Sequence, residues 1–136
     1  MPSLTSKLES SEKLKIVLTA LDEKKAIDPE VIDMIGRTLI ADYFVVASGT
    51  SSVHMRALAD GVVESMEEQA QQRARREGLA DAAWILLDYG DVVVHIFSEE
   101  ARGKYDLDSL WKSMEERREA EAKAGQDGAQ PNADPA

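Results

Sequence analysis

Apolar residues at Leu14, Val17, Leu18 and Leu21 recur at i, i+3, i+4 and i+7, the spacing that lays one stripe along an amphipathic helix. Upstream, Ser6-Lys7-Leu8-Glu9 reads as a capping box, so this helix is expected to start near Ser6. Pro29 excludes helix continuation there. Beyond it, Glu30 to Ile35 reads as a strand and Gly36 to Asp42 as a connection. Tyr43 to Ala47 reads as a second strand, and its unbroken apolar run suits burial on both faces. After Ser48-Gly49-Thr50 the pattern returns to a helix capped by Ser51 or Ser52, with Met55, Leu58, Ala59, Val62 and Met66 on its inner face. Gly61 costs about 1 kcal/mol relative to Ala in a helix interior and so marks close packing.

The polar run after Gln69 fits either a fraying helix end or a short edge strand, and Gly78 is expected to stop it. Trp84 to Asp88 and Val92 to Phe97 are strands by their apolar and β-branched content, and the short Tyr89-Gly90 link between Asp88 and Asp91 fits a tight hairpin. Glu99 to Tyr105 reads as one or two helical turns, with Leu107, Leu110 and Trp111 packing back onto the body. The order predicts an α/β domain over residues 1–111 with a mixed sheet of four or five strands and flanking helices. Residues 112–136 read as a charged helical extension and a disordered tail, from the Gly, Pro, Gln and Asp content after Gly125.

At 136 residues with 43% hydrophobic positions, the chain suffices for one core and is short for two. Zero cysteines exclude a disulfide framework, thiolate metal sites and a cysteine nucleophile. No stretch approaches the roughly 20 apolar residues that span a bilayer, and the start lacks a signal-peptide pattern, so a soluble cytoplasmic protein without a membrane partner is expected. The charge changes the picture more: 26 acidic against 16 basic residues leave a net charge of −10. Such a surface repels phosphate backbones, and Arg73, Arg75 and Arg76 form only a small basic cluster, which argues against direct DNA binding. A basic protein is the expected partner.

Candidate chemistry is sparse. Ser48-Gly49-Thr50-Ser51-Ser52 feeds a helix and could cradle an anion, but it fits neither the P-loop nor the G-x-G-x-x-G pattern, and a plain turn with an N-cap explains the same residues. The enzyme alternative is a metal-dependent nucleotidyltransferase, which sets such a turn beside two carboxylates spaced by one residue. Asp91-Val92-Val93 supplies one of them, too little charge to fix two cations. His54 lies in a first helical turn and His95 within a strand, and a hydrogen-bonded structural role suits His95 better than a zinc site, which needs at least three ligands. No metal or cofactor site is expected. What remains is a surface: Trp84, Ile85 and Tyr89, then Lys104-Tyr105-Asp106-Leu107, among six acids and two basic residues between Asp88 and Leu110. Clustered aromatics with acids suit a protein interface, or else a core with a solvated rim.

Several ordered blocks together carry a family resemblance: Asp42-Tyr43-Phe44-Val45-Val46, Ser48-Gly49-Thr50-Ser51-Ser52, Arg56-Ala57-Leu58-Ala59-Asp60, Trp84 through His95, and Tyr105-Asp106-Leu107 before Leu110-Trp111. Across Leu8 to Trp111 the chain resembles the ribosomal silencing factors, the Iojap-like family. The resemblance implies a nucleotidyltransferase-like fold without catalytic activity, often a homodimer. It also implies binding to the large ribosomal subunit through its basic protein fourteen, which blocks joining of the small subunit and lowers translation when nutrients are scarce. Carried over, Trp84, Ile85, Asp88, Tyr89, Gly90 and Asp91 match the ribosome-contacting region, with Tyr105 and Asp106 as weaker candidates. In that reading Trp84, Ile85 and Tyr89 anchor by hydrophobic contact while Asp88 and Asp91 pair with basic groups. An acidic adaptor for another basic protein is a further alternative. Gln71 to Arg76 departs from the family pattern, which leaves the fifth strand open.

Overall fold

A computed structural model describes residues 8–36, 41–79 and 83–104. Its elements run α1 (Ser10–Glu23), β1 (Ile27–Asp33), β2 (Tyr43–Gly49), α2 (Ser52–Ala70), β3 (Arg75–Leu79), β4 (Trp84–Asp88), β5 (Val92–Ser98) and α3 (Glu99–Arg102). The five strands form one mixed sheet in the order β1-β2-β5-β4-β3. Only β2 and β5 run parallel, Tyr43 opposite Val92 and Gly49 opposite Ser98; every other pair is antiparallel. The sheet is therefore the mixed α/β arrangement expected from the element order, with the fifth strand present.

Several boundaries move. The first helix begins at Ser10 rather than near Ser6: Glu9 is its extended N-cap, and the Glu9 amide donates to Glu12 Oε1 at 3.0 Å. Capping chemistry repeats three residues apart here, so local sequence does not choose between the two starts. The first strand spans Ile27–Asp33 rather than Glu30 to Ile35, and Pro29 lies inside it. This is possible because β1 is a sheet edge with a register shift between Ile27 and Glu30, so the missing proline N–H breaks no ladder. Gly78 does not stop the polar run; it sits within β3 opposite Ile85 with φ +85. A Cβ there would run into the Trp84 carbonyl oxygen, so only glycine lets β3 approach β4. The last described helix ends at Arg102. The expected packing of Leu107, Leu110 and Trp111, the boundary at residue 111 and the extension beyond it lie outside the described residues.

Strand alternation sorts the core into two faces. Val45, Ala47, Ile85, Leu87, Val92, Val94 and Ile96 point to the side where Val17 and Leu21 of α1 and Met55, Leu58, Val62 and Met66 of α2 complete one buried cluster. Lys24 of the α1 C-cap lays its side chain against Gly61, the close approach that glycine marked in the sequence. The opposite face carries Phe44, Val46, Leu86, Val93, His95 and Phe97, all buried, with Trp84 half-buried beside them. Among the described residues no helix is long and apolar enough to cross a membrane.

Candidate functional site

Strand β4 positions the residues expected to meet a partner, and it divides them. Trp84 and Asp88 stand at its two ends, about 13 Å apart at the usual strand rise. At the first end, the Trp84 ring packs 5.1 Å from Phe97 and 5.9 Å from His95 between centroids, and its Nε1 donates to His95 Nδ1 at 3.3 Å. Phe44 meets His95 from the next strand at 5.0 Å. His95 thus has the hydrogen-bonded structural role its strand position suggested, and it holds the tryptophan in a fixed pose.

The other end is a built turn. Tyr89 N–H donates to the Val92 carbonyl at 2.9 Å, and Gly90, at φ +87, donates its amide to Asp88 Oδ1 at 2.7 Å. Asp88 is buried, Tyr89 is buried in the helix-side core, and Ile85 belongs to that same core. Ile85 and Tyr89, expected to offer side chains to a partner, are both turned inward by strand alternation, toward α2. Burial also pushes the Tyr89 phenol well above its ordinary pKa, with Glu67 adding to the shift and Arg76 opposing it. Asp88 caps its own turn, and Asp91 pairs with Lys13 at 2.9 Å, so neither acid is an unengaged surface charge. Gly90 is exposed, while Tyr105 and Asp106 lie outside the described residues.

Sequence reasoning missed Lys13, a lysine in the buried row of α1, because its partner Asp91 is 78 residues away. It also missed Arg102. That side chain donates to the Ile27 carbonyl and to Ser48 Oγ, both at 3.1 Å, and to Glu30 Oε1 at 3.4 Å. No local pattern marks an arginine whose acceptors are spread over two other strands. His54 has a bridging role as well: Nδ1 accepts from the Thr50 amide at 2.9 Å, and Nε2 donates to the Lys24 carbonyl at 2.8 Å.

The enzyme alternative required the Gly49-Thr50-Ser51 turn beside Asp91. Because β2 and β5 are parallel, the turn follows the carboxyl end of one strand and Asp91 precedes the amino end of the other, roughly 20 Å away at the usual rise. Among the described residues no group of three or more His, Asp or Glu side chains could hold a metal ion. The turn is an N-cap, Ser51 Oγ accepting the His54 amide at 3.0 Å.

Comparison with known proteins supplies the family. Residues 7–136 match the family model described as ribosomal silencing factor during starvation. A Bacillus subtilis protein named ribosomal silencing factor RsfS is 41% identical over 98 residues, 72% of this chain and 83% of the relative. A more distant mouse relative, named mitochondrial assembly of ribosomal large subunit protein 1, is 29% identical over 101 residues, which cover 72% of this chain and 44% of the mouse protein. Among solved structures, a Chromobacterium violaceum protein superposes with a TM-score of 0.71 at 32% identity, covering 77% of this chain and 88% of that one. The chain belongs to the ribosomal silencing factor family.

Proposed function

We propose that this member of the silencing factor family binds the large ribosomal subunit through its basic protein fourteen and, by occupying the face where the small subunit docks, blocks subunit joining and represses translation under nutrient limitation. The family match over residues 7–136 carries the reading. The mouse relative's name, which ties that protein to the ribosomal large subunit, supports the choice of subunit. Electrostatics supports the choice of landing site: a chain of net charge −10 is repelled by ribosomal RNA and attracted to a basic protein on it.

Within this reading Trp84 is the anchor. Its ring is half-buried, braced by Phe97 and His95, and its N–H is bonded, so little freedom is lost when a partner covers it. Gly90 and the exposed part of Asp91 form a second contact at the far end of β4, while Ile85, Asp88 and Tyr89 act by fixing the strand and its turn. Tyr105 and Asp106 remain candidate contacts. The free protein is cytoplasmic and a homodimer, binds neither DNA nor membrane, needs no cofactor and catalyses no reaction.

Co-sedimentation with isolated large subunits, small subunits and assembled ribosomes at about 0.15 M salt, where charges are screened beyond roughly 8 Å, tests the proposal. Selective association with free large subunits and slower subunit joining is the expected result, and Trp84→Glu should weaken it about thirtyfold or more without unfolding the chain. Equal association with both subunits, or capture of basic proteins with no ribosome binding, would replace the proposal with the acidic adaptor.

A further inference from the structure

Beyond the carboxyl ends of the parallel strands β2 and β5 lies a cavity of about 330 Å³, lined by Ile27, Asp28, Ser48, Glu99, Arg102 and Gly103. Small-molecule sites run from about 300 to 1,000 Å³, and open α/β sheets take ligands in the crevice at this end of their parallel strands. Location and size therefore both suit a small ligand.

The lining chemistry narrows its class. Arg102 is fixed from three sides: Nη1 donates to the Ile27 carbonyl and Ser48 Oγ, and Nη2 donates to Glu30 Oε1. A guanidinium carries five N–H donors, so the Nε proton and the second Nη2 proton stand outside these three bonds. Asp28 and Glu99 are exposed carboxylates that make no hydrogen bond or ion pair among the described residues. A lone anion would meet Arg102 and be repelled by the two acids. A lone cation would meet the acids and be repelled by Arg102, whose charge the long 3.4 Å pair to the largely exposed Glu30 offsets only in part. A molecule carrying both charges on a short framework satisfies all three groups.

We propose that this cavity binds a small zwitterion of the free α-amino acid class, its carboxylate on the open donors of Arg102 and its ammonium between Asp28 and Glu99. The guanidinium is already immobilised by the sheet, so binding does not have to order a long flexible side chain. Ser48, buried at the end of β2, keeps its hydroxyl at the wall of the cavity and serves as the acceptor that orients Arg102. The inference goes beyond the ribosomal reading and does not depend on it, since the site uses none of the residues proposed to contact the subunit.

The test uses the full chain without ribosomes. L-alanine, L-leucine, L-lysine and L-glutamate are titrated separately while the backbone amides of Asp28, Ser48 and Glu99 are followed by NMR, with ethylamine, propionate and inorganic phosphate as single-charge probes, meaning probes that carry charge of one sign only. At least one amino acid should shift these amides saturably below about 10 mM, and the single-charge probes should bind at least about tenfold more weakly. The double variant Asp28→Asn, Glu99→Gln, whose changes lie outside the hydrogen-bond network, should keep the melting temperature and weaken binding about tenfold or more. No saturable shift with any amino acid, equal binding of a single-charge probe, or undiminished binding by the double variant would overturn the proposal. None of these outcomes bears on ribosome association.

Discussion

Lys13 Nζ lies 2.9 Å from Asp91 Oδ1, joining the first helix to the β4–β5 turn across 78 residues of chain. The lysine side chain is 5% exposed and the aspartate 31% exposed, so one charge depends on the pair far more than the other. The Asp91 carbonyl meanwhile accepts the Asp42 and Tyr43 amides at 2.7 and 3.1 Å, so the same residue also ties in the start of β2.

This asymmetry predicts unequal costs. Asp91→Asn leaves a buried ammonium without its counter-charge and should destabilise by about 1–3 kcal/mol, the usual penalty for breaking a buried pair reduced by partial solvent access. Lys13→Met removes the buried charge and leaves an aspartate that water can reach, so its cost should stay within about 1 kcal/mol. Urea unfolding of the two variants checks the order, and equal losses would show that the pair is not buried in solution.

Gly78→Ala should be among the most damaging single-methyl additions in the described chain. The residue sits at φ +85 and a Cβ meets the Trp84 carbonyl oxygen, so β3 must move away from β4. A loss of about 2–4 kcal/mol is expected, together with faster amide hydrogen exchange confined to β3. Normal protection of Arg75 to Leu79 in the variant would contradict the observed strand.

Tyr89 predicts an alkaline weakness. Burial holds its phenol protonated in the native state to a higher pH than in the unfolded chain, where tyrosine ionises near pH 10. Its contribution is complete below about pH 10; above that, the unfolded chain releases a proton the native state keeps, and stability falls by about 1.4 kcal/mol per pH unit. The Tyr89 hydroxyl makes no hydrogen bond among the described residues, so Tyr89→Phe should be neutral to slightly stabilising at pH 7, within about 1 kcal/mol, and should flatten the alkaline slope. Unfolding midpoints between about pH 9 and 11 give the comparison.

His54 is predicted to exist as the Nε2–H tautomer, because Nδ1 faces the Thr50 amide and Nε2 faces the Lys24 carbonyl. Nitrogen-15 NMR of the ring reads this directly. His54→Ala removes both links between the α1 C-terminus and the β2–α2 turn, and should cost about 1–2 kcal/mol.

The ribosome-facing candidates show where sequence reading stops. Trp84, Ile85 and Tyr89 are all apolar or aromatic within one short block; residue type left interface and core open, and the family resemblance made them equal anchors. Strand alternation separates them: Trp84 stays half-exposed beside Phe97 and His95, while Ile85 and Tyr89 join the core under α2. The acids do not divide in this way: Asp88 accepts the Gly90 amide and Asp91 pairs with Lys13, so both are engaged within the fold.

By itself the sequence determined the family, the α/β class, the two amphipathic helices, the separate strand segments that became β2 and β5, and the acidic balance. These follow from periodicity, composition and ordered blocks that act within a few residues of one another. Tertiary structure alone decided that β3 pairs through Gly78, that Pro29 is tolerated on the edge strand of the described sheet, that the Ser-Gly turn and Asp91 stand at opposite ends of parallel strands, and that Arg102 closes a cavity with Ile27 and Ser48. Each of those depends on strand order and direction, which bring together groups tens of residues apart and leave no periodic trace in the chain.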